Sequence, residues 1–448
     1  MVLSIFLTAC RDFIVIDPPN DRINTVAVFA DDATATSAVL GIYTKLNSTA
    51  TPFSNGGTTI YCGMYADELT YTIATDQNGT QFLENNLTPT NNLVYNAFWR
   101  NAYEIIYHSN RCIEGLEQST SLTPELKNQL LGECYFIRAF CYWYLVNNFG
   151  DVPLTTLTTY EDNATLSRSE VAEVMAQINN DLLTARDLLL PEYPTAGKFR
   201  VNYHVATALL ARYYLYNKEW QLAQQTASEV INSPLYTFET ELLNVFPTSS
   251  TEAIWQLPID ESIFNTIEGN RFIPTPVGIP RYPVTDELLE AFSSADLRKI
   301  SWLTSKTVAD VTYTYPHKYK VRSNAVKTES LIIFRITEMY MIRAEAIAMQ
   351  DNMDLNDALL DLNRVRNRAN LTSLNSTDRS FVVEAIVGER RLEFFAENGH
   401  RFYDLKRLNR LDEALAHKPG WNTEDRLFPI PLNEILANPF LTQNEDYD

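Results

Sequence analysis

The chain has 448 residues and a formal net charge of −20, from 36 lysines and arginines against 56 aspartates and glutamates. Such an acidic balance repels phosphate backbones and anionic lipid head groups, which argues against nucleic acid as a partner. Hydrophobic residues make up 45% of the sequence and charged residues 21%, the composition of a globular rather than a disordered protein.

The chain opens with a short apolar stretch that ends at a cysteine. Residues 2–9, VLSIFLTA, are too few for a membrane span but fit the end of a signal-peptide apolar region. The following LTAC, ending at Cys10, resembles the lipobox of bacterial lipoproteins, so we expect a signal peptide at residues 1–9 and acyl chains on Cys10. A chance cysteine is the alternative. The basic residues expected before the apolar stretch are missing, which suggests a clipped or misassigned start.

The region from about 47 to 90 is rich in threonine, asparagine and glycine, with FSNGG and DQNGT as turns, and predicts loops. Downstream, residues 128–150 are apolar on nearly every helical face and predict a central buried helix. In residues 206–230, apolar side chains recur every three or four residues on both sides of the polar break Asn217–Glu219. This spacing predicts a helical hairpin of tetratricopeptide type, although no regular 34-residue period is present.

Between about 240 and 330 the helical period disappears. Six prolines between Pro247 and Pro283 exclude long helices there, so we expect loops and short strands. Farther on, residues 334–350 and 356–371 predict another helical pair. Residues 382–398 then predict one long helix that ends at Asn398 and Gly399, where glycine can adopt the left-handed cap conformation.

Charged side chains crowd the end of this last helix, at Glu389, Arg390, Arg391 and Glu393. One interpretation is a catalytic carboxylate pair. The one we favour is a set of buried ion pairs, completed by nearby charges, that fixes the C-terminal helices; these charges are Arg401, Asp404 and Arg407. The sequence has no HExxH motif, glycine-rich phosphate loop or GxSxG elbow, so we expect neither a metal, a cofactor nor an enzyme.

The two irregular regions hold most of the candidate binding residues. A sugar presents a flat C–H face and a rim of hydroxyls, so a sugar site needs aromatic planes and polar side chains. The first region offers Tyr61, Tyr65 and Tyr71 among Asp67, Asp76, Asn78 and Gln81, and the second offers Phe272, Tyr282, Trp302, Tyr313 and Tyr315. The predicted ligand contacts are Tyr65, Asp67, Tyr71, Asp76, Asn78, Trp302, Tyr313 and Tyr315. The alternative is that these aromatic residues anchor loops to the core.

Several segments carry a family resemblance, and they follow one another in order along nearly the whole chain. They are CRDFIVIDPP, FWRNAYEIIYHSNRCI, GECYFIRAFCYWYLVNNFGDVPL, RAEAIAMQDNMDLNDALLDLNRVRNRANL, ERRLEFFAENGHRFYDLKRL and LFPIPLNEILANPFLTQNEDY. Together they resemble the SusD/RagB family of surface lipoproteins. The resemblance implies a mostly α-helical single domain over residues 10–448, built from tetratricopeptide-like hairpins with loop-rich, short-strand excursions. Regions 47–90 and 240–330 would form its ligand side.

The same resemblance implies what the protein does. It would be a lipoprotein anchored through Cys10 to the outer membrane of a Bacteroidetes-type bacterium, where it binds oligosaccharides and delivers them to a SusC-like TonB-dependent transporter. Peptides are the alternative cargo. An intracellular helical-repeat scaffold that binds other proteins is a rival from a different class, and the LTAC sequence argues against it.

Overall fold

The computed structural model describes residues 25–258, 263–445 and 447. Cys10 and the expected signal peptide lie outside the described residues, so lipidation stays a prediction. Among the helices of the described ranges, none combines the length and apolar character that crossing a bilayer would require.

The described chain is mostly α-helical, as the sequence predicts. Its α-helices are α1 (Thr25–Val28), α2 (Asp32–Leu46), α3 (Gly63–Tyr65), α4 (Gln77–Glu84), α5 (Asn101–Gln118), α6 (Pro124–Phe149), α7 (Tyr160–Asn163), α8 (Val171–Leu188), α9 (Tyr203–Tyr216), α10 (Trp220–Ile231), α11 (Ile267–Phe272), α12 (Asp286–Ala291), α13 (Arg298–Ser301), α14 (Ile336–Ala348), α15 (Leu355–Arg368), α16 (Arg379–Glu393), α17 (His400–Arg407), α18 (Leu411–Leu415) and α19 (Leu432–Ala437). Wide helical turns at Phe53–Cys62 and Val94–Arg100 and 3₁₀ turns at Leu242–Asn244 and Thr423–Arg426 complete the helical parts.

Helices α5, α6, α8, α9, α10, α14 and α15 pack in succession, each against the next. The predicted hairpin is confirmed: α9 and α10 flank the polar break, where Lys218 takes a left-handed φ of 60°. Helix α6 lies at the centre, with Phe136, Phe140 and Trp143 all fully buried. A helix covered on every side must be apolar on every face, which explains its lack of a polar stripe.

Short strands occur in and directly after the proline-rich region of about 240 to 330, as the sequence predicts. Within the described ranges the strands are β1 (Ala253–Leu257), β2 (Leu303–Val308), β3 (Val311–Pro316) and β4 (Leu331–Arg335). Strands β1 and β4 pair antiparallel at the core, and β2 and β3 form an antiparallel hairpin. At its turn Ala309 and Asp310 both have positive φ, the backbone geometry that matches the twist of a two-residue hairpin loop.

Two expectations about helices are wrong in detail. The region from 47 to 90 is not only loops, because Phe53–Cys62 forms a buried helical segment kinked at Gly56, whose φ is +84°. A Cβ there would meet the side chain of Ile267 at 3.0 Å, so glycine allows the two irregular regions to approach. The C-terminal helix α16 ends at Glu393 rather than Asn398, and Gly399 is the left-handed residue that starts α17.

Candidate functional site

The two irregular regions meet edge to edge. The backbone amide of Thr70 donates to the carbonyl of Pro283 at 2.7 Å, and that of Thr72 donates to the carbonyl of Arg281 at 3.1 Å. These bonds align the chain around residue 71 with the chain around residue 282. The ligand-side regions predicted separately from composition therefore form one continuous surface on the helical scaffold.

An aromatic stack marks this junction. The rings of Tyr71 and Tyr282 lie 5.3 Å apart between centroids with an interplanar angle of 17°. The Tyr71 hydroxyl donates to Oδ2 of Asp76 at 2.7 Å, and Asp76 also caps α4 by accepting from the backbone amide of Gly79 at 3.3 Å. A Cβ on Gly79 would lie 2.6 Å from the Tyr71 ring, so the glycine lets the ring lie against the helix.

A cleft of about 380 Å³ opens beside this stack, and Ile73 lines it from the first region. From the second region its lining includes Asn270, Arg271, Arg281 and Arg322. It therefore offers apolar surface, an amide and three guanidinium groups, and Arg281 joins it in sequence to Tyr282 of the stack. Such a mixture suits a ligand with both C–H faces and oxygen acceptors.

The β2–β3 hairpin fixes the turn that closes one side of this cleft. The ammonium group of Lys306 donates to the carbonyls of Thr275, Pro276 and Gly278 at 2.9, 2.8 and 2.7 Å. Tyr313 lies directly opposite Lys306 in the strand register and is half-buried. Lys306 therefore acts as a positioning residue for the turn.

The tyrosines at the junction are held in their neutral form. Burial raises the pKa of the Tyr71 hydroxyl, and its hydrogen bond to Asp76 raises it further. Burial also raises the pKa of Tyr282, although the charges of Arg281 and Arg271 oppose this. Both phenols are therefore neutral at neutral pH; Tyr282 is 5% exposed and supports the half-buried ring of Tyr71 from behind.

Two of the predicted ligand contacts lie in the core instead. Tyr65 is 0% exposed, and its hydroxyl donates to the carbonyl of Asp425 at 3.0 Å. Trp302 is 1% exposed, its indole N–H donates to the carbonyl of Leu242 at 3.1 Å, and the ammonium of Lys318 lies 4.7 Å from its ring centroid. Neither ring presents a face to a ligand, so the loop-anchoring alternative describes both residues.

Two further candidates are also occupied by the protein itself. The carboxylate of Asp67 receives two hydrogen bonds from Arg401, both at 2.7 Å, and one from Arg391 at 2.9 Å. Burial alone would raise the pKa of Asp67, but these guanidinium groups outweigh it and hold the pKa below its ordinary value. Tyr315 is 7% exposed and packs near His317.

Of the other candidates, Tyr71 and Asp76 come together at the junction. Asn78 lies on α4, where its side-chain oxygen accepts from the backbone amide of Asn92 at 3.0 Å, so it shapes the neighbouring loop. The three arginines that line the cleft and Asn270 were not among the predicted ligand contacts. The sequence did contain a signal for two of them, because Arg271 and Arg281 lie on either side of the proline-rich segment FIPTPVGIP.

The charges at the end of α16 form ion pairs, as the favoured interpretation predicted. Glu393 contacts Arg298, Arg335 and Arg368 at 3.1, 2.7 and 2.5 Å. The remaining charged residues are paired in the same way: Glu389 with Arg298 and Arg366, Arg390 with Asp404, Arg391 with Asp67, and Arg407 with Asp404 and Glu345. Each carboxylate is already committed to a guanidinium group, which does not suit acid–base chemistry.

Two other features of the described residues bear on function. A second groove, of about 340 Å³, is lined by aromatic residues that include Trp99, Tyr103, Tyr107 and Tyr160, together with Glu434. Within the ranges that the structure describes, no group of three or more histidine, cysteine, aspartate or glutamate side chains is arranged to hold a metal ion.

Two family models match the chain. One, described as starch-binding and associating with the outer membrane, matches residues 31–215, and the model of the SusD family matches residues 299–447. Among curated relatives, SusD-like protein P25 of Formosa agariphila is 24% identical over 416 residues, 78% of each chain. Starch-binding protein SusD of Bacteroides thetaiotaomicron is 23% identical over 430 residues, 74% of this chain and 75% of that protein.

Solved structures share the fold. A SusD superfamily protein from Bacteroides vulgatus superposes with a TM-score of 0.83 at 22% identity, covering 93% of this chain and 99% of that one. Surface glycan-binding protein A from Bacteroides thetaiotaomicron, in complex with laminarihexaose, gives a TM-score of 0.78 at 21% identity, with 92% and 99% coverage. With family models matching both halves of the chain in order and this fold in common, the protein belongs to the SusD/RagB family.

Proposed function

We propose that the protein captures oligosaccharides at the bacterial surface and delivers them to a SusC-like TonB-dependent transporter, held at the outer membrane by lipid on Cys10. The observation that carries this proposal is the cleft beside the Tyr71–Tyr282 stack. Starch-binding SusD and the laminarihexaose-bound glycan-binding protein support glycans as the cargo.

The chemistry of the junction suits a sugar. An aromatic plane can pack against the C–H face of a pyranose ring, while amide and guanidinium groups donate to its hydroxyl oxygens. Tyr71 is half-buried, so part of its ring stays accessible, and Ile279 at the cleft is 47% exposed. Binding without covalent chemistry fits the carboxylates of α16, which are engaged in ion pairs.

The cargo is tested by a thermal-shift panel of oligosaccharides and peptides, measured on the chain with Cys10→Ser so that acylation cannot occur. A ligand at a hundred times its dissociation constant stabilises the folded state by about 2.7 kcal/mol. We expect stabilisation by at least one class of oligosaccharide. Stabilisation by peptides alone would contradict the glycan proposal.

The anchor is tested by metabolic labelling. Labelled palmitate should enter the wild-type chain and should be absent from Cys10→Ala, because a single thiol carries the attachment. Equal incorporation into both proteins would contradict the role of Cys10. The replacement lies far from the cleft residues in sequence, so glycan binding by the purified protein should be unchanged.

A further inference from the structure

We propose that this cleft binds glycans that carry anionic groups, carboxylate or sulfate, and that Arg271, Arg281 and Arg322 bind those groups. The inference rests on the proposed function, because it assigns a chemical class to the glycan that the same site would take. Three observations support it: the positive charge of the cleft lining, the lack of carboxylate partners for its arginines among the described residues, and a buried amide beside them.

The cleft differs in charge from the molecule around it. The whole chain carries a formal net charge of −20, yet the lining of this cleft contains three arginines and no acidic residue. Guanidinium groups that share one concave surface repel one another, and a low-dielectric wall strengthens that repulsion. An anionic ligand would relieve the repulsion, which a neutral sugar cannot do.

These three guanidinium groups lack carboxylate partners. In the described ranges, no aspartate or glutamate oxygen lies within 4.0 Å of a side-chain nitrogen of any of them. Arg271 donates through Nε and Nη2 to the hydroxyl of Thr51, at 3.2 and 3.0 Å, and Arg322 donates through Nε to the carbonyl of Ile273 at 3.1 Å. Each guanidinium has five N–H donors, so donors remain for a ligand.

The half-buried Arg401 differs from these three arginines. Two adjacent N–H groups of its guanidinium, a donor fork, both donate to the carboxylate of Asp67. Two adjacent N–H groups of a guanidinium that have no partner can donate to two oxygens of one carboxylate or sulfate at once. Such bidentate pairs are roughly twice as strong as hydrogen bonds between neutral groups. Beyond the bonds to Thr51 and Ile273, the remaining N–H donors of the three guanidinium groups therefore favour an oxyanion over a hydroxyl.

Asp76 is the acidic side chain whose charge acts on this neighbourhood, since it raises the pKa of both Tyr61 and Tyr282, each already raised by burial. Its carboxylate accepts hydrogen bonds from Tyr71 and from the start of α4. It forms no ion pair with an arginine in the described chain. The lining itself, with three arginines and no acidic residue among the described residues, is therefore positive.

A buried amide adds an independent observation. Asn270 is 8% exposed and lines the cleft, and its side-chain nitrogen is buried without an acceptor among the described residues. A buried donor without a partner costs about 1–3 kcal/mol, so this amide needs an acceptor, which a water molecule or a ligand oxygen can supply. The oxygen-rich rim of an acidic sugar supplies such an acceptor.

The test measures dissociation constants by calorimetry for the Cys10→Ser chain. The probes are a neutral laminari-oligosaccharide, an oligogalacturonide and a sulfated galactan oligosaccharide, at about 50 mM and about 300 mM NaCl. Variants Arg281→Gln and Arg322→Gln remove one positive charge each and keep polar side chains. Arg364→Gln, on the exposed surface of α15, makes the same charge change away from the cleft. Thermal unfolding confirms that each variant is folded.

We expect at least one anionic probe to bind more tightly than the neutral probe, and its affinity to fall at the higher salt. Arg281→Gln and Arg322→Gln should each weaken that affinity about tenfold, while Arg364→Gln changes it less than about twofold. The stronger of the two anionic probes identifies carboxylate or sulfate as the natural group. Preferential binding of the neutral glycan, or anionic binding unaffected by both cleft variants, would overturn this inference and leave the proposed function intact. Binding of none of the three probes would also overturn this inference, while the thermal-shift panel decides the proposed function.

Discussion

At the residue scale, Tyr71 is the aromatic side chain whose loss should affect binding most specifically. Its ring stacks on Tyr282 and stays half-exposed, while its hydroxyl is committed to Asp76. We therefore assign its contribution to the ring and not to the hydroxyl.

Tyr71→Ala should weaken glycan affinity by about tenfold, because aromatic contacts contribute roughly 1 kcal/mol or more beyond buried area. Tyr71→Phe should retain affinity within about threefold, since the ring remains. Tyr160→Ala, which removes a ring 79% exposed at the second groove, is the matched control. Calorimetry with the glycan identified by the panel is the measurement. Unchanged affinity in Tyr71→Ala would contradict the assignment.

Trp302→Ala should destabilise the fold by about 3–5 kcal/mol, the usual cost of emptying a core site of this size. The indole is 1% exposed and holds Lys318 against its ring, so the variant loses packing and a cation–π contact together. Urea unfolding measures the change. Normal stability combined with lost glycan binding would instead show that Trp302 contacts the ligand.

The sequence could not distinguish Tyr71 from Tyr65. Both tyrosines lie among polar residues in the same irregular region, so local composition favours them equally as sugar-binding residues. Tyr65 is buried by rings from Phe402 and Phe428, with centroids 5.5 and 5.1 Å away, which lie far along the chain. Burial of this kind depends on tertiary contacts that a single sequence does not reveal.

At the element scale, the short helix α11 connects the two irregular regions through a buried acid. Glu268 is 2% exposed, and the hydroxyl of Thr59 donates to it at 2.5 Å across the junction. Burial raises its pKa from 4.5 to about 8, with the charge of Glu397 adding to the shift and Lys318 opposing it. The folded state therefore holds a proton that the unfolded chain releases.

A raised folded-state pKa adds stability below about pH 4.5 that is lost as the pH rises through about 8. Relative to Glu268→Gln, the wild-type free energy of unfolding should therefore fall by roughly 1–3 kcal/mol between those limits. Urea unfolding of both proteins across this pH range is the measurement. Glu161→Gln, at an exposed site, should leave the pH profile unchanged. A constant difference between wild type and Glu268→Gln would contradict the buried protonated acid.

The end of α16 shows what periodicity predicts and what it misses. The apolar spacing correctly gave a helix here, but placed its end near Asn398. The helix stops at Glu393, and the turn that follows lets Glu397 reach Arg335, with two hydrogen bonds at 2.9 and 3.0 Å. Ion pairing with β4, an element 50 or more residues earlier, decides the boundary, and no local pattern contains that information.

At the scale of the whole molecule, buried ion pairs join elements that are distant in sequence. Glu393 on α16 contacts arginines from α13, β4 and α15. Order along the chain predicted the family and the mostly helical fold. The pairing that holds these parts together had to come from the structure, since any of 36 basic residues could have been the partner.

Glu393→Gln should destabilise the protein by about 3–5 kcal/mol, because it leaves three buried guanidinium groups without their shared counterion. Glu384→Gln lies on the same helix and breaks a surface pair with Arg410, which should cost less than about 1 kcal/mol. Chemical unfolding compares the two directly. Equal, small effects would show that the buried network contributes little to stability.

A crystal structure of the Cys10→Ser protein with the oligosaccharide that stabilises it would show whether the junction of the two irregular regions captures a glycan. We expect a sugar ring at Tyr71, with ligand oxygens bound by the side chains of Arg271, Arg281 or Arg322. A glycan bound instead in the groove lined by Trp99, with the Tyr71 cleft empty, would contradict it.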